Sequence, residues 1–211
     1  MTDRKDDVYR VNENHGDLND RYLERLKRVT ESALEEHARV LAFRVDLHLP
    51  KDKQGQYSNA VIKRFIASLK AQINAYQNRR RKLGKRTYPC RLNYAWVREF
   101  GEINGGKHYH VLLLVNREVF HKAFLIYNRL TKKYGYLVRM VISAWNRALR
   151  DKGPDDNAGT IHLPGVSYDL NRKDGIHTAG YQDFIYHISY MAKEYTKQRG
   201  DGERNFGCSV K

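Results

Sequence analysis

The spacing of apolar residues changes period several times along the chain, and each change predicts an element. Leu18, Tyr22, Leu26, Val29 and Ala33 recur at helical spacing over about 18–37, behind Asp17 or Asn19 as helix cap. From Val40 to Leu49 the period falls to two. Leu41, Phe43, Val45, Leu47 and Leu49 share one face, Ala42, Arg44, Asp46 and His48 share the other, and the pattern predicts a half-buried strand stopped by Pro50. Ile62, Phe65, Ile66, Leu69, Ile73 and Tyr76 then predict an amphipathic helix over about 58–80. Tyr88–Phe100 and Lys107–Asn116, joined by Gly101–Gly106 with Asn-Gly-Gly in the turn, predict a β-hairpin. A further helix over about 136–150 runs through Leu137, Val141, Ala144, Trp145 and Ala148 and is ended by Gly153-Pro154. Short strands near 160–163 and 166–170 precede a last helix over about 180–198 and a Gly-rich, frayed tail. This order, without internal repeats, predicts an α+β fold in which an antiparallel β-sheet is flanked by helices. It divides into an N-terminal helical extension (1–37), a main domain (38–198) and a flexible tail (199–211).

Charge adds a partner to this picture. The 211 residues carry 39 Lys plus Arg against 24 Asp plus Glu, a formal charge of +15. Residues 1–37 sum to −3 and the remainder to +18, so the basicity belongs to the main domain. Such a field attracts phosphates, and 15 tyrosines add faces on which unpaired bases stack. The run Arg79-Arg80-Arg81-Lys82, with Lys85 and Arg86, is the candidate nucleic-acid contact. The longest apolar run, Val111–Val115, is far short of the ~20 residues that span a bilayer, and no signal-peptide core follows the charged N-terminus. Cys90 and Cys208 form no C-x-x-C pair. No membrane association and a reducing cytoplasm are therefore expected.

Two clusters carry candidate chemistry. His108 and His110 share one face of the second hairpin strand, and Glu99 lies on the preceding strand just before the turn, where the hairpin returns the chain beside them. Two imidazoles and a carboxylate suit Mg²⁺ or Mn²⁺ acting on phosphate, and the histidines alone would also accept zinc. Asp46 and His48 compete with Glu99 as third ligand, or else Asp46 simply pairs with Arg44 or His48. On the last helix, Tyr186, Tyr190, Lys193 and Lys197 fall on one stripe, opposite Phe184, Ile188, Met191, Ala192 and Tyr195. A tyrosine hydroxyl beside a lysine is the arrangement of an activated nucleophile.

His108-Tyr109-His110 resembles the His-hydrophobic-His motif of HUH endonucleases, and Tyr190-Met191-Ala192-Lys193 resembles the Tyr-x-x-Lys motif of rolling-circle replication initiators. The segments Arg44–Pro50, Trp96-x-Arg98-Glu99 and Ala144-Trp145 are similar to the inovirus replication-protein family that includes the YagK/YfjJ C-terminal-domain proteins of prophages. The resemblance covers residues 38–198. It implies an HUH/Rep-like, RRM-related sandwich and a metal-dependent nickase of single-stranded or hairpin DNA. In that reading His108, His110 and Glu99 hold the metal, Tyr190 is the nucleophile forming a 5′-phosphotyrosine link, and Lys193 assists it. Tyr186 is either a second nucleophile or a base-stacking residue. No Walker motif is present, so a host helicase or polymerase is an expected partner. The competing expectations are a non-catalytic DNA-binding prophage regulator on the same scaffold and an RNA-binding module.

Overall fold

The computed structural model describes residues 9–14, 16–50, 55–101, 105–121, 127–128, 133–150, 160–163 and 165–210. Among these residues are four helices, α1 (Asp20–Glu36), α2 (Ala60–Lys82), α3 (Tyr136–Leu149) and α4 (Ala179–Ser189), the last continued by a 3₁₀ turn over Tyr190–Ala192. The strands are β1 (Arg39–His48), β2 (Asn93–Phe100), β3 (Lys107–Asn116), β4 (Tyr127–Asn128), β5 (Lys133–Tyr134), β6 (Ile161–His162), β7 (Ser167–Asn171) and β8 (Phe206–Cys208). Asn19 caps α1, its side-chain oxygen accepting from the Tyr22 N–H at 2.9 Å.

Six strands form an antiparallel sheet in the order β6-β1-β3-β2-β8, with β7 also on the outer edge of β1. The expected α+β architecture, a sheet flanked by helices, is therefore present. The period-two residues of β1 separate as alternation requires. Leu41, Phe43, Val45 and Leu47 join Phe65 and Leu69 of α2 and Val141 and Trp145 of α3 in one core. Val40 and Ala42 join Leu26 and Val29 of α1 and Phe184 and Ile188 of α4 in a second core on the other face. That second layer buries the face of β1 expected to be polar, leaving polar residues there only at the end that carries Arg44, Asp46 and His48.

Two elements depart from expectation. The last helix ends near 190 rather than 198, because the chain there pairs with the N-terminal segment. Leu18 bridges to Lys193, the Asn19 N–H donates to the Ala192 carbonyl at 2.8 Å and the Glu194 N–H donates to that of Asp17 at 3.0 Å. Tyr195, expected inside, is consequently 56% exposed. The tail expected to be flexible contains β8, which pairs with Ala95–Val97 of β2. Arg98, fully buried, holds the approach to β8: its guanidinium donates to Asp201 at 2.7 Å, Glu203 at 2.6 Å and Asn205 at 2.9 Å. The Asn-Gly-Gly turn, with Asn104, and the Gly153-Pro154 stop fall partly or wholly outside the described residues. Among the described residues no helix is long and apolar enough to cross a membrane.

Candidate active site

Strand register assembles the histidine cluster. β3 lies between β1 and β2, with Asp46 opposite His110 and His48 opposite His108 on one side, and Glu99 opposite His108 on the other. All five belong to the sheet face covered by α1 and α4. His110 is thus flanked by two carboxylates: its Nδ1 lies 2.6 Å from Asp46 Oδ1 and its Nε2 lies 3.3 Å from Glu99 Oε2. His108 Nδ1 lies 3.1 Å from the Gly106 carbonyl and its Nε2 lies 4.0 Å from the same Glu99 Oε2. One ligand atom from each of Glu99, His108 and His110 falls within 4.8 Å of the others.

These donors fit a divalent cation. An Nδ1–H of His110 donated to Asp46, and one of His108 donated to Gly106, turn both Nε2 atoms toward Glu99, the arrangement in which a second partner orients a metal-binding imidazole. His110 Nε2 and Glu99 Oε2 are buried and face one another at 3.3 Å, the atoms a shared cation would use as ligands. Asp46 is spent on orientation, and Arg44 pairs with it at 3.0 Å. His48 stacks on the His108 ring at 5.1 Å. Both competitors of Glu99 therefore sit outside the three-residue group.

Tyr190 and Lys193 reach this cluster from the end of α4. The Tyr190 ring stands edge-on to His110 with centroids 5.7 Å apart, and Lys193 Nζ donates to the Tyr190 hydroxyl. Lys193 Nζ also lies 3.0 Å from Glu99 Oε2, while Lys197 Nζ donates to Glu99 Oε1 at 2.7 Å. Lys197 shares the sequence stripe with Tyr190 and Lys193, yet only the fold reveals its contact with Glu99. The stripe does not survive as a helix face: after the 3₁₀ turn the backbone extends at Lys193, with φ −55° and ψ 140°, and this extension delivers both lysines to Glu99. Arg44, expected only as a partner of Asp46, also holds its guanidinium carbon 5.5 Å from the Tyr190 ring centre.

Burial and charge oppose one another throughout the site. Burial raises the Glu99 pKa, but His110 and Lys197 outweigh it and hold the carboxyl well below the usual range. Burial lowers His110, while Asp46 and Glu99 reverse the sign and raise it. Burial keeps His108 below its ordinary value against the opposing Gly106 carbonyl. Burial lowers Lys193 too, yet its bonds to Tyr190 and Glu99 leave it raised and cationic. For Lys197 burial prevails over Glu99 and its pKa falls.

Two other sequence candidates lie elsewhere. Tyr186 faces the N-terminal segment: Asn14 Nδ2 donates to its hydroxyl at 3.2 Å and the Arg10 guanidinium covers its ring at 4.4 Å. The run from Arg79 to Arg86 closes the far end of α2, on the opposite layer from the histidines. The beginning of α2 is at the site end, where the Tyr109 hydroxyl donates to Asn59 at 2.8 Å. Its far end is at the other, where the Gln77 side chain bonds both backbone groups of Cys90. The helix has 23 residues, about 35 Å at 1.5 Å per residue, so the fold does not bring Arg79, Arg80, Arg81, Lys82, Lys85 and Arg86 to the cluster. Cys90 is no nucleophile, since burial pushes its thiol up to about 12.

Residues 1–209 match the profile of the YagK/YfjJ C-terminal domain. The chain belongs to the YagK/YfjJ C-terminal domain family. The protein named "Uncharacterized protein YfjJ" of Escherichia coli (strain K12) is 35% identical over 203 residues, covering 89% of this chain and 93% of the relative. "Uncharacterized protein YagK" of the same strain is 34% identical over 182 residues, covering 82% and 84%. No solved structure matches. The match to the YagK/YfjJ C-terminal domain takes in α1 and β8 as well as the segment that carries the histidines and Tyr190.

Proposed function

We propose that the chain is an HUH-type endonuclease, akin to inovirus and rolling-circle replication initiators, that nicks single-stranded or hairpin DNA through Tyr190. One observation carries this reading: a tyrosine hydroxyl bonded to a lysine stands against a two-histidine, one-carboxylate group on a single sheet face. His108, His110 and Glu99 would hold the metal, which supplies Lewis-acid polarisation of the scissile phosphate. Lys193 stabilises the Tyr190 phenolate by hydrogen bond and charge. The phenol gives up its proton to solvent, its oxygen bonds to phosphorus as the bond to the 3′-oxygen breaks, the 5′-phosphate stays on Tyr190, and the departing 3′-oxygen takes up a proton from solvent to become the 3′-hydroxyl. Asp46 fixes the His110 ring, and Lys197 offsets part of the buried Glu99 charge.

The test is incubation with a labelled library of single-stranded and hairpin DNA in Mn²⁺ or EDTA, followed by a denaturing gel. An Mn²⁺-dependent protein–DNA adduct is expected, absent in Tyr190→Phe and retained in Tyr186→Phe. Loss in Tyr186→Phe alone would refute the nucleophile assignment. Binding with no adduct across the library would refute the enzyme.

A further inference from the structure

The sheet edge beyond β2 carries a second feature on the same side as the histidine cluster. A groove of about 770 Å³ runs between α1 and β8. Four arginines line it: Arg21 and Arg25 from α1, Arg199 and Arg204 from the segment leading into β8. Tyr22 and Phe206 form an aromatic wall, their half-buried rings stacked at 4.7 Å and 22°. The groove begins two residues past Lys197, so one end lies beside the candidate site.

The charge in this groove is not internally neutralised. Both oxygens of Glu203 are taken, Oε1 by the Asn59 N–H and Oε2 by Arg98 and Lys107. Those of Glu194, at the site end, are taken by Asn19 and Arg199. Arg25 donates to the Val210 carbonyl. The guanidiniums of Arg21 and Arg204 have no hydrogen-bond or ion-pair partner among the described residues, and both residues are exposed. Unpartnered arginines flanking an aromatic wall match a chain of phosphates bearing unpaired bases: the cations take the backbone and the ring plane takes a base. A duplex hides its base faces and leaves the aromatic wall without a partner.

We propose that this groove binds single-stranded DNA and guides it to or from Tyr190. The assignment deepens the endonuclease reading and rests on it for the direction of the strand. It also replaces the basic end of α2, which lies on the opposite layer, as the contact nearest the site.

The test is metal-free binding by the full chain in EDTA, read as fluorescence anisotropy of a labelled mixed-sequence strand of about twelve nucleotides, within the usual site size. Two charge-matched double variants are compared: Arg21→Gln with Arg204→Gln, and Arg80→Gln with Arg86→Gln. The groove pair is expected to weaken binding about fivefold or more at about 50 mM salt. It should also flatten the salt slope by about 1.4, at ~0.7 per phosphate contact on a single strand. The α2 pair is expected to stay within about twofold of wild type. Photocrosslinking with a 5-iodouracil strand is expected to mark the peptide containing Tyr22 or the one containing Phe206. Equal losses from both pairs, loss from the α2 pair alone, crosslinks confined to the end of α2, or no binding would each overturn the proposal. Groove-dependent binding without an adduct in Mn²⁺ would fell the nickase and leave the groove standing. An adduct with groove-independent binding would do the reverse.

Discussion

Asp46 shows what a single residue gains from its neighbours. Alternation places Asp46 and His48 on one face of β1 and leaves both in competition with Glu99. Cross-strand register separates them, since Asp46 meets His110 on the Nδ1 side and Glu99 meets it on the Nε2 side. The carboxylate of Asp46 therefore acts on the imidazole. Asp46→Asn weakens that bond and is expected to lower Mn²⁺ affinity on the order of 10–100-fold, as loss of such an orienting partner typically does. Calorimetric titration checks this, and unchanged affinity would remove Asp46 from that role. The motif His108-Tyr109-His110 is legible in sequence because alternation alone puts both rings on one face. The orientation of His110 is not, because it depends on β1 lying beside β3, and nothing in either strand names its neighbour.

At the scale of elements, periodicity locates every helix start to within two residues, because burying one face is a local property of the pattern. Ends that depend on a partner elude it. The last helix keeps an apolar rhythm to Tyr195, but Lys193 forms a bridge with Leu18 and the Phe100 N–H donates to the Thr196 carbonyl at 3.2 Å, so sheet-like pairing outcompetes helical bonds. β8 has only three residues and no alternation long enough to register; β2 creates it. Gly207 is the residue that admits it, since an added Cβ would come within 2.5 Å of the Trp96 ring atoms. Trp96 has little room to yield, being buried and edge-packed on Tyr109 with centroids 6.0 Å apart. Gly207→Ala is thus expected to cost about 1–3 kcal/mol by overpacking, seen as a lower urea midpoint at unchanged slope. A midpoint equal to wild type would show that β8 repositions freely.

For the whole molecule, the decisive feature is that one sheet serves two cores. α1, which the sequence places in a separate extension, contributes Leu26, Val29 and Ala33 to the same core as Phe184 and Ile188 of α4. Loss of α1 would uncover the face that carries the site. Both tryptophans belong to the α2–α3 layer, whereas circular dichroism reports helices of both layers. Coincident urea transitions by tryptophan fluorescence and far-ultraviolet circular dichroism are expected, as for a single cooperative unit. An early dichroism loss would mark α1 as independently melting. The sequence by itself determined the α+β class, the hairpin, the His-x-His face and the basic charge, since each depends on neighbours within a few residues along the chain. The tertiary structure alone decided that Asp46 takes the Nδ1 side of His110 and leaves the Nε2 side to Glu99, that Lys197 joins Lys193 upon Glu99, that Tyr190 comes to the site while Tyr186 turns away, and that the basic end of α2 lies elsewhere. Each of these depends on strand order and on where a helix stops, and both are set by competition among surfaces far apart in sequence for burial and hydrogen bonds.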